Sequence, residues 1–426
     1  MSAPIATPYN GTAEITALTS LINSAVQDIA NEYSKEGHSI PSLHSTEPGP
    51  FDAPHLVSPI LARAIQTVEA ACAQLSFTVA NPGHVITNYE ESACMLVATN
   101  AKIADRLIGK PEGLAIKELA SQAGLDAGKL GRILRMLATK HCFEEGLREY
   151  ESDSNHTVRT DEAFKAGLYL NETLTDPKTA SSTSPDDSPF QRAHGTSLFG
   201  YYTTRFAQAM VGWGEVTGKS MLPKVYAWDK VPENATICDV GGGNGHVTLG
   251  LMKAFPKLKV VLQDSPAVVE LGREYWKTQY PEAIEKQRVQ FTSIDFFVDQ
   301  PVPNCDFYYD NHSHDWPTSE SLKILGNIRK AMGANSRLLI HEFVLQHAVR
   351  DPDTSASIVE QAPEPLLANY GMGRVRLYQQ DLNMMILLNS KERTLQEFVD
   401  LGEKSGFRFE KIWTSGEAGL IEFRAT

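Results

Sequence analysis

The chain has 426 residues, enough for about two to three domains, and its hydrophobic share of 42% is ordinary for a soluble globular protein. A formal charge of −13 argues against a nucleic-acid partner, because neutralising phosphates takes a basic face. The five cysteines (72, 94, 142, 238 and 305) form no C-x-x-C pair, the first 25 residues carry no basic or apolar leader, and no stretch approaches a membrane span, so buried free thiols and a cytoplasmic location are expected.

A short helix at 12–31 is followed by an arm at 30–58 rich in Ser, Pro, His and Gly. From Leu61 to Ile108 the apolar spacing is helical. Ile116–Ala120 is a short helix ended by Gly124, and Asp126 caps a second one running through Leu130, Ile133, Leu134 and Leu137. Three alternating stretches, 143–145, 149–151 and 156–158, then suggest a wing. A winged helix invites a DNA-binding reading, and Lys129, Arg132, Arg135 and Lys140 fit it, but Glu144, Glu145, Glu149, Glu151 and Asp153 give the wing the wrong sign. A structural or dimerising role is expected instead. Residues 171–191 are expected to be a polar, disordered loop, with helical pattern resuming at Leu198–Trp213.

From Ala235 onward strands alternate mainly with helices: 235–240, 259–264, 289–295, 305–311, 337–344, 407–415 and 420–425. The last two are separated only by a short turn. The pattern predicts a doubly wound, Rossmann-like sheet of seven strands whose last strand inserts antiparallel through a hairpin. The first strand breaks into Asp239-Val240-Gly241-Gly242-Gly243-Asn244-Gly245-His246, a loop that brings backbone close to a ligand and aims a helix N-terminus at it. The second strand ends in Asp264, 23 residues after Gly241, where an acid meets a ribose diol. His246 fills the third-glycine slot of G-x-G-x-x-G and no Lys-Ser/Thr follows, so neither a dinucleotide nor a phosphate loop is present. A nucleoside without pyrophosphate fits, and S-adenosylmethionine is one.

The glycine loop, the acid-ended second strand, His314-Asp315-Trp316, Lys391-Glu392-Arg393-Thr394 and the terminal hairpin follow one another in a familiar order. Over roughly residues 85–425 the chain resembles the plant caffeic-acid-type and fungal small-molecule O-methyltransferases, class I S-adenosylmethionine enzymes with an N-terminal winged-helix dimerisation domain. The resemblance implies a helical dimerisation domain over 1–215, a cofactor-binding domain over 216–426, and a homodimer acting on a small aromatic or polyketide-like hydroxyl compound. It implies His314 as general base with Glu342 and Glu392 in support. It maps the cofactor onto Asp239, Gly241, Gly243, Asp264, Asp295 and Phe296, and the acceptor onto Phe206, Met210, Asp315, Met384 and Met385. A phenol with a pKa near 10 is a poor nucleophile at neutral pH, so an imidazole that takes its proton during transfer is the required chemistry. Carboxylates fix the tautomer and stabilise the imidazolium. Thr394–Glu397 has the form of a capping box, which sets Glu392 just ahead of a helix.

One position departs from the resemblance: four residues before His314 the family usually carries Lys or Arg, and here stands Asp310. On a strand, Asp310, His312 and His314 would share a face. No metal is expected there; Asp310 and His312 are expected to alter the acceptor pocket or the contact to the cofactor's polar end. That departure sustains an alternative, a cyclase or dehydratase that binds the cofactor without transferring its methyl group and uses its fixed charge for electrostatic stabilisation.

Overall fold

In the computed structural model, residues 11–426 are described except 43–44, 46–48, 53–55, 80–96, 100, 109, 111–112, 139–142, 146–149, 153–160, 202–209, 212–218, 351–358 and 416. The chain forms two compact units, Met1–Pro41 with Gly49–Thr78 and Ala166–Thr426, and Ser42–Pro48 with Val79–Lys165. This grouping differs from a division at residue 215, because helices α1 (Gly11–Lys35) and α2 (Pro59–Val79) join the larger unit. Leu18, Ala70 and Ala71 bury against Ala362, Leu366 and Tyr370. Among the described residues no helix is long and apolar enough to cross a membrane.

The smaller unit contains α3 (Ile103–Leu107), α4 (Ile116–Ala123), α5 (Ala127–Ala138) and strands β1 (Phe143–Glu145) and β2 (Tyr150–Ser152). Gly124 ends α4 at φ 69°, and Asp126 Oδ1 accepts the Lys129 N–H at 2.9 Å to start α5. Ile103, Leu119, Leu130 and Leu134 close its core. The two strands pair antiparallel, Glu144 opposite Glu151. The third wing stretch, 156–158, lies outside the described residues.

In the larger unit the sheet carries β3 (Thr236–Val240), β4 (Lys259–Asp264), β5 (Val289–Ser293), β6 (Phe307–Asp310), β7 (Arg337–Leu345), β9 (Phe407–Ser415) and β10 (Ala418–Ala425) in the order β5-β4-β3-β6-β7-β10-β9. A two-residue strand, β8 (Arg393–Thr394), pairs with the end of β7. All pairings from β5 to β7 are parallel, and β10 runs antiparallel to both neighbours. Val240, Leu262, Tyr308, Leu338 and Ile340 are buried, as apolar strands covered on both faces must be. Between β3 and β6 the strand order reverses, and there the carboxyl ends open the crevice in which ligands bind.

Residues 171–191 depart from expectation. Ser188 caps the helix Pro189–His194, and Asn389 donates to the Ser182 and Ser184 carbonyls at 2.8 and 3.0 Å, so packing orders a segment whose composition suggested none. Among the described residues the thiols are free; Cys238 and Cys305 are buried, but Cys72 is exposed. Cys94 and Cys142 lie outside the described residues.

Candidate active site

β3 delivers Asp239 to the start of the glycine loop. It is 1% exposed, one oxygen accepts from Thr248 at 2.6 Å, and the other is buried with no partner. Burial raises its pKa to about 7. Gly241, Gly243 and Gly245 all have positive φ, of 64°, 62° and 74°. What surrounds them differs. A Cβ on Gly242 would strike Asp239 and Leu262, and one on Gly245 would strike Trp276, so packing dictates those two. A Cβ on Gly243 would meet nothing within 4 Å, the open position against which a ligand can lie. At Gly241 the sequence predicted space for a ligand, yet a Cβ there would come within 2.3 Å of the His312 ring.

Asp264, at the end of β4, fixes the loop: its oxygens accept the Gly243 and Ser265 N–H groups at 2.9 and 2.7 Å. Burial pushes its pKa up against those bonds. Beyond β5, which stops at Ser293, two residues before Asp295, the exposed Asp295 accepts the Phe297 N–H at 3.1 Å and shapes the turn. Phe296 stacks on His312 at 5.0 Å and stands edge-on to Phe297 and Trp316. An open glycine, an unpartnered buried carboxylate and an aromatic shelf suit a nucleoside bearing a cationic tail, and S-adenosylmethionine meets that description.

β6 ends at Asp310, and Ser313–Asp315 is a 3-10 turn, so Asp310, His312 and His314 do not share a strand face. Asp310 is fully buried and bonds its own turn, accepting from the His312 N–H at 3.0 Å and the Ser313 hydroxyl at 2.5 Å. Its acid is thereby a brace for the turn that carries His314. Arg393, 1% exposed, holds the same turn from β8, donating to the Ser313 and Trp316 carbonyls at 2.7 and 2.8 Å. Ser390 adds a 2.6 Å bond to the His314 carbonyl.

So braced, His314 places Nδ1 2.7 Å from Glu342 Oε2 and Nε2 3.4 Å from Asp315. Glu342, on β7, is 1% exposed and also accepts the His314 N–H. Glu392 is 2% exposed with both oxygens unpartnered, and a ring nitrogen of His314 and carboxylate oxygens of Glu342 and Glu392 lie within 4.8 Å of one another. Burial pulls the His314 pKa down, but Glu342 and Asp315 outweigh it and raise it to about 9. Burial would raise Glu342; the His314 ring and Lys219 reverse this and hold it well below the carboxylate range. Burial pushes Glu392 up to about 8, with His314 opposing and Glu342 adding to it. Of two acids sharing one small volume, only one ionises.

Lys219 is absent from the sequence-based set. It sits in a 3-10 turn, 8% exposed, donating to the Asn311 carbonyl at 2.9 Å and standing 3.5 Å from Glu342. Only its burial reveals it, since one lysine in a polar stretch gives no periodic signal.

Helix α6 (Val375–Leu388, preceding β8) packs against the His314 turn. Asp381 on this helix accepts the Glu392 N–H at 2.9 Å, and Met384 and Met385, three and four residues on, share its face. Met384 is buried and Met385 half-buried. Met210 is half-buried, and Phe206 lies outside the described residues. The expected capping box is present, Thr394 and Glu397 bonding reciprocally at the start of α7 (Leu395–Lys404).

A doubly wound sheet with a nucleoside loop and a carboxylate-held histidine defines a class of group-transfer enzymes. Residues 172–408 match the O-methyltransferase domain family. Over 96% of its length the chain is 46% identical to 3-O-methyltransferase 2 of Phanerochaete chrysosporium, covering 97% of that protein. Among solved structures it is similar to the O-methyltransferase NcsB1 from neocarzinostatin biosynthesis, in complex with S-adenosylmethionine and 2-hydroxy-5-methyl naphthoic acid (TM-score 0.61, 19% identity, 82% of this chain and 100% of the other). It is also similar in fold to a pericyclic reaction enzyme (TM-score 0.62, 20% identity, 85% and 94%). The chain belongs to the O-methyltransferase family. It is an S-adenosylmethionine-dependent enzyme that methylates a hydroxyl of a small metabolite.

Proposed function

We propose that His314 removes the proton from an aromatic or polyketide-like hydroxyl as the oxygen accepts the methyl group. The observation that carries this is the 2.7 Å contact between His314 Nδ1 and the buried Glu342. A carboxylate there holds the proton on Nδ1 and leaves Nε2 to accept. Bound S-adenosylmethionine supplies a methyl group on a sulfonium; the new O–C bond forms as the S–C bond breaks. The proton goes to Nε2, where Glu342 and Asp315 stabilise the imidazolium. A base with a pKa of about 9 lies close to a phenol's ~10, so the transfer is nearly balanced. Glu392, protonated near pH 7, stands beside the ionised Glu342 without adding a second charge.

Asp239, Gly241, Gly243, Asp264, Asp295 and Phe296 hold the cofactor in this reading. Met384 and Met385, whose thioethers adapt to ring faces, hold the acceptor with Phe206, Met210 and Asp315. His314→Ala should leave S-adenosylhomocysteine affinity nearly intact by calorimetry and lower kcat by about 10²- to 10⁴-fold. A wild-type kcat in this variant would refute the assignment.

A cytoplasmic homodimer completes the reading. Exposed Val26, Ile60, Ile65 and Phe77 on α1 and α2 support an interface in the N-terminal half. Light scattering at micromolar concentration tests it, and a monomer would contradict it.

A further inference from the structure

His312 touches two sides of the expected cofactor site: its ring stacks on Phe296 and its Cδ2–Nε2 edge lies against Gly241. Trp316 fixes its chemistry. The indole Nε1–H, which only donates, reaches His312 Nδ1 at 3.2 Å, so Nδ1 accepts and the proton sits on Nε2. That Nε2–H is buried and has no partner, with its side chain 8% exposed. Asp310 Oδ1, at 3.8 Å, is beyond hydrogen-bond distance and already accepts the His312 N–H. A buried donor left unsatisfied costs about 1–3 kcal/mol. This edge faces the glycine loop at Gly241, which the reading above assigns to the cofactor and on which this inference rests.

We infer that His312 donates its Nε2–H to an uncharged acceptor on the nucleoside half of S-adenosylmethionine. The charge of the surroundings selects that half. Asp239, Asp264 and Asp310 all lie near the ring, and bringing the cofactor's carboxylate among three acids would be opposed by repulsion. Ribose and adenine offer neutral acceptors instead. His312 is thus a cofactor contact rather than an acceptor contact, and Gly241 is glycine because this ring occupies the place of its side chain.

The test is calorimetry with S-adenosylhomocysteine and with methylthioadenosine, which lacks the amino-acid tail. His312→Phe keeps a ring on Phe296 but removes the donor; His312→Gln restores a donor without the ring. The Phe variant should bind both ligands about tenfold more weakly, and the Gln variant within about threefold of wild type. Unchanged affinity in the Phe variant overturns the inference, as does a loss confined to S-adenosylhomocysteine. Should both variants weaken or unfold, exchange of the His312 Nε2 proton in the wild-type protein decides: slowing on ligand addition upholds the contact, and unchanged exchange refutes it. Gly243→Val separates the two layers: if it binds normally, the pocket itself is misassigned, whereas lost binding there with unchanged binding in His312→Phe refutes the donor alone.

Discussion

Replacing Glu342 by Gln keeps the side chain's shape and removes the charge that dominates the His314 ring. That ring rises from an ordinary 6.5 to about 9, a stabilisation of the imidazolium on the order of 3 kcal/mol. In the proposed mechanism the neutral ring is the base, and its fraction grows with pH. At pH 7 about one wild-type ring in a hundred is neutral, so kcat/KM should climb about tenfold per pH unit until it levels near pH 9. With Gln, burial and the Lys219 ammonium still lower the ring and Asp315 is the main group opposing them, so most rings are neutral by pH 7 and the profile is flat above it. The variant's plateau is lower, by about 10²-fold, because a weaker base transfers the proton and its imidazolium is no longer paired. Its deficit relative to wild type should therefore widen by about 50-fold between pH 7 and 9. An NMR titration of His314 in the S-adenosylhomocysteine complex reads the shift without an acceptor. Parallel pH profiles for the two proteins, or a wild-type ring that titrates near 6.5, would refute the reasoning.

Lys219→Met should move the kcat/KM limb in the opposite direction, to higher pH, because the ammonium 3.5 Å from Glu342 opposes protonation of His314; an unmoved limb contradicts this. Gly243→Val should fold, its Cβ entering open space, with backbone strain of about 1–2 kcal/mol, and should lose S-adenosylhomocysteine binding by calorimetry. Arg393→Met orphans the Ser313 and Trp316 carbonyls, so urea unfolding should show a loss of about 3 kcal/mol; a change under 1 kcal/mol would mean that the turn holds without it.

Much of the fold was legible because the sheet strands are apolar runs bounded by glycine and acid, as in Ile237–Gly241 and Val260–Asp264. The hairpin strand begins two residues earlier than its composition implied, at Ala418, since Gly419 pairs without offering a side chain to the pattern. The 171–191 segment misled for the complementary reason: its order comes from Asn389, over 190 residues away, and local polarity carries no trace of that bond. In the site, His314, Glu342 and Glu392 were named through the resemblance, and the structure brings them together. What no spacing revealed is the apparatus around them. Lys219 and Arg393 act through carbonyls and carboxylates that are distant in sequence, and Asp310, which suggested an altered pocket, braces its own turn.

Turnover of a phenolic acceptor with methyl-labelled S-adenosylmethionine, with S-adenosylhomocysteine and labelled product counted together, decides whether the enzyme transfers the methyl group. One S-adenosylhomocysteine should form for each labelled methyl ether, in wild type and, far more slowly, in His314→Ala. Conversion of the acceptor while the cofactor stays intact would contradict methyl transfer and favour a cofactor-assisted cyclisation or dehydration on the same fold.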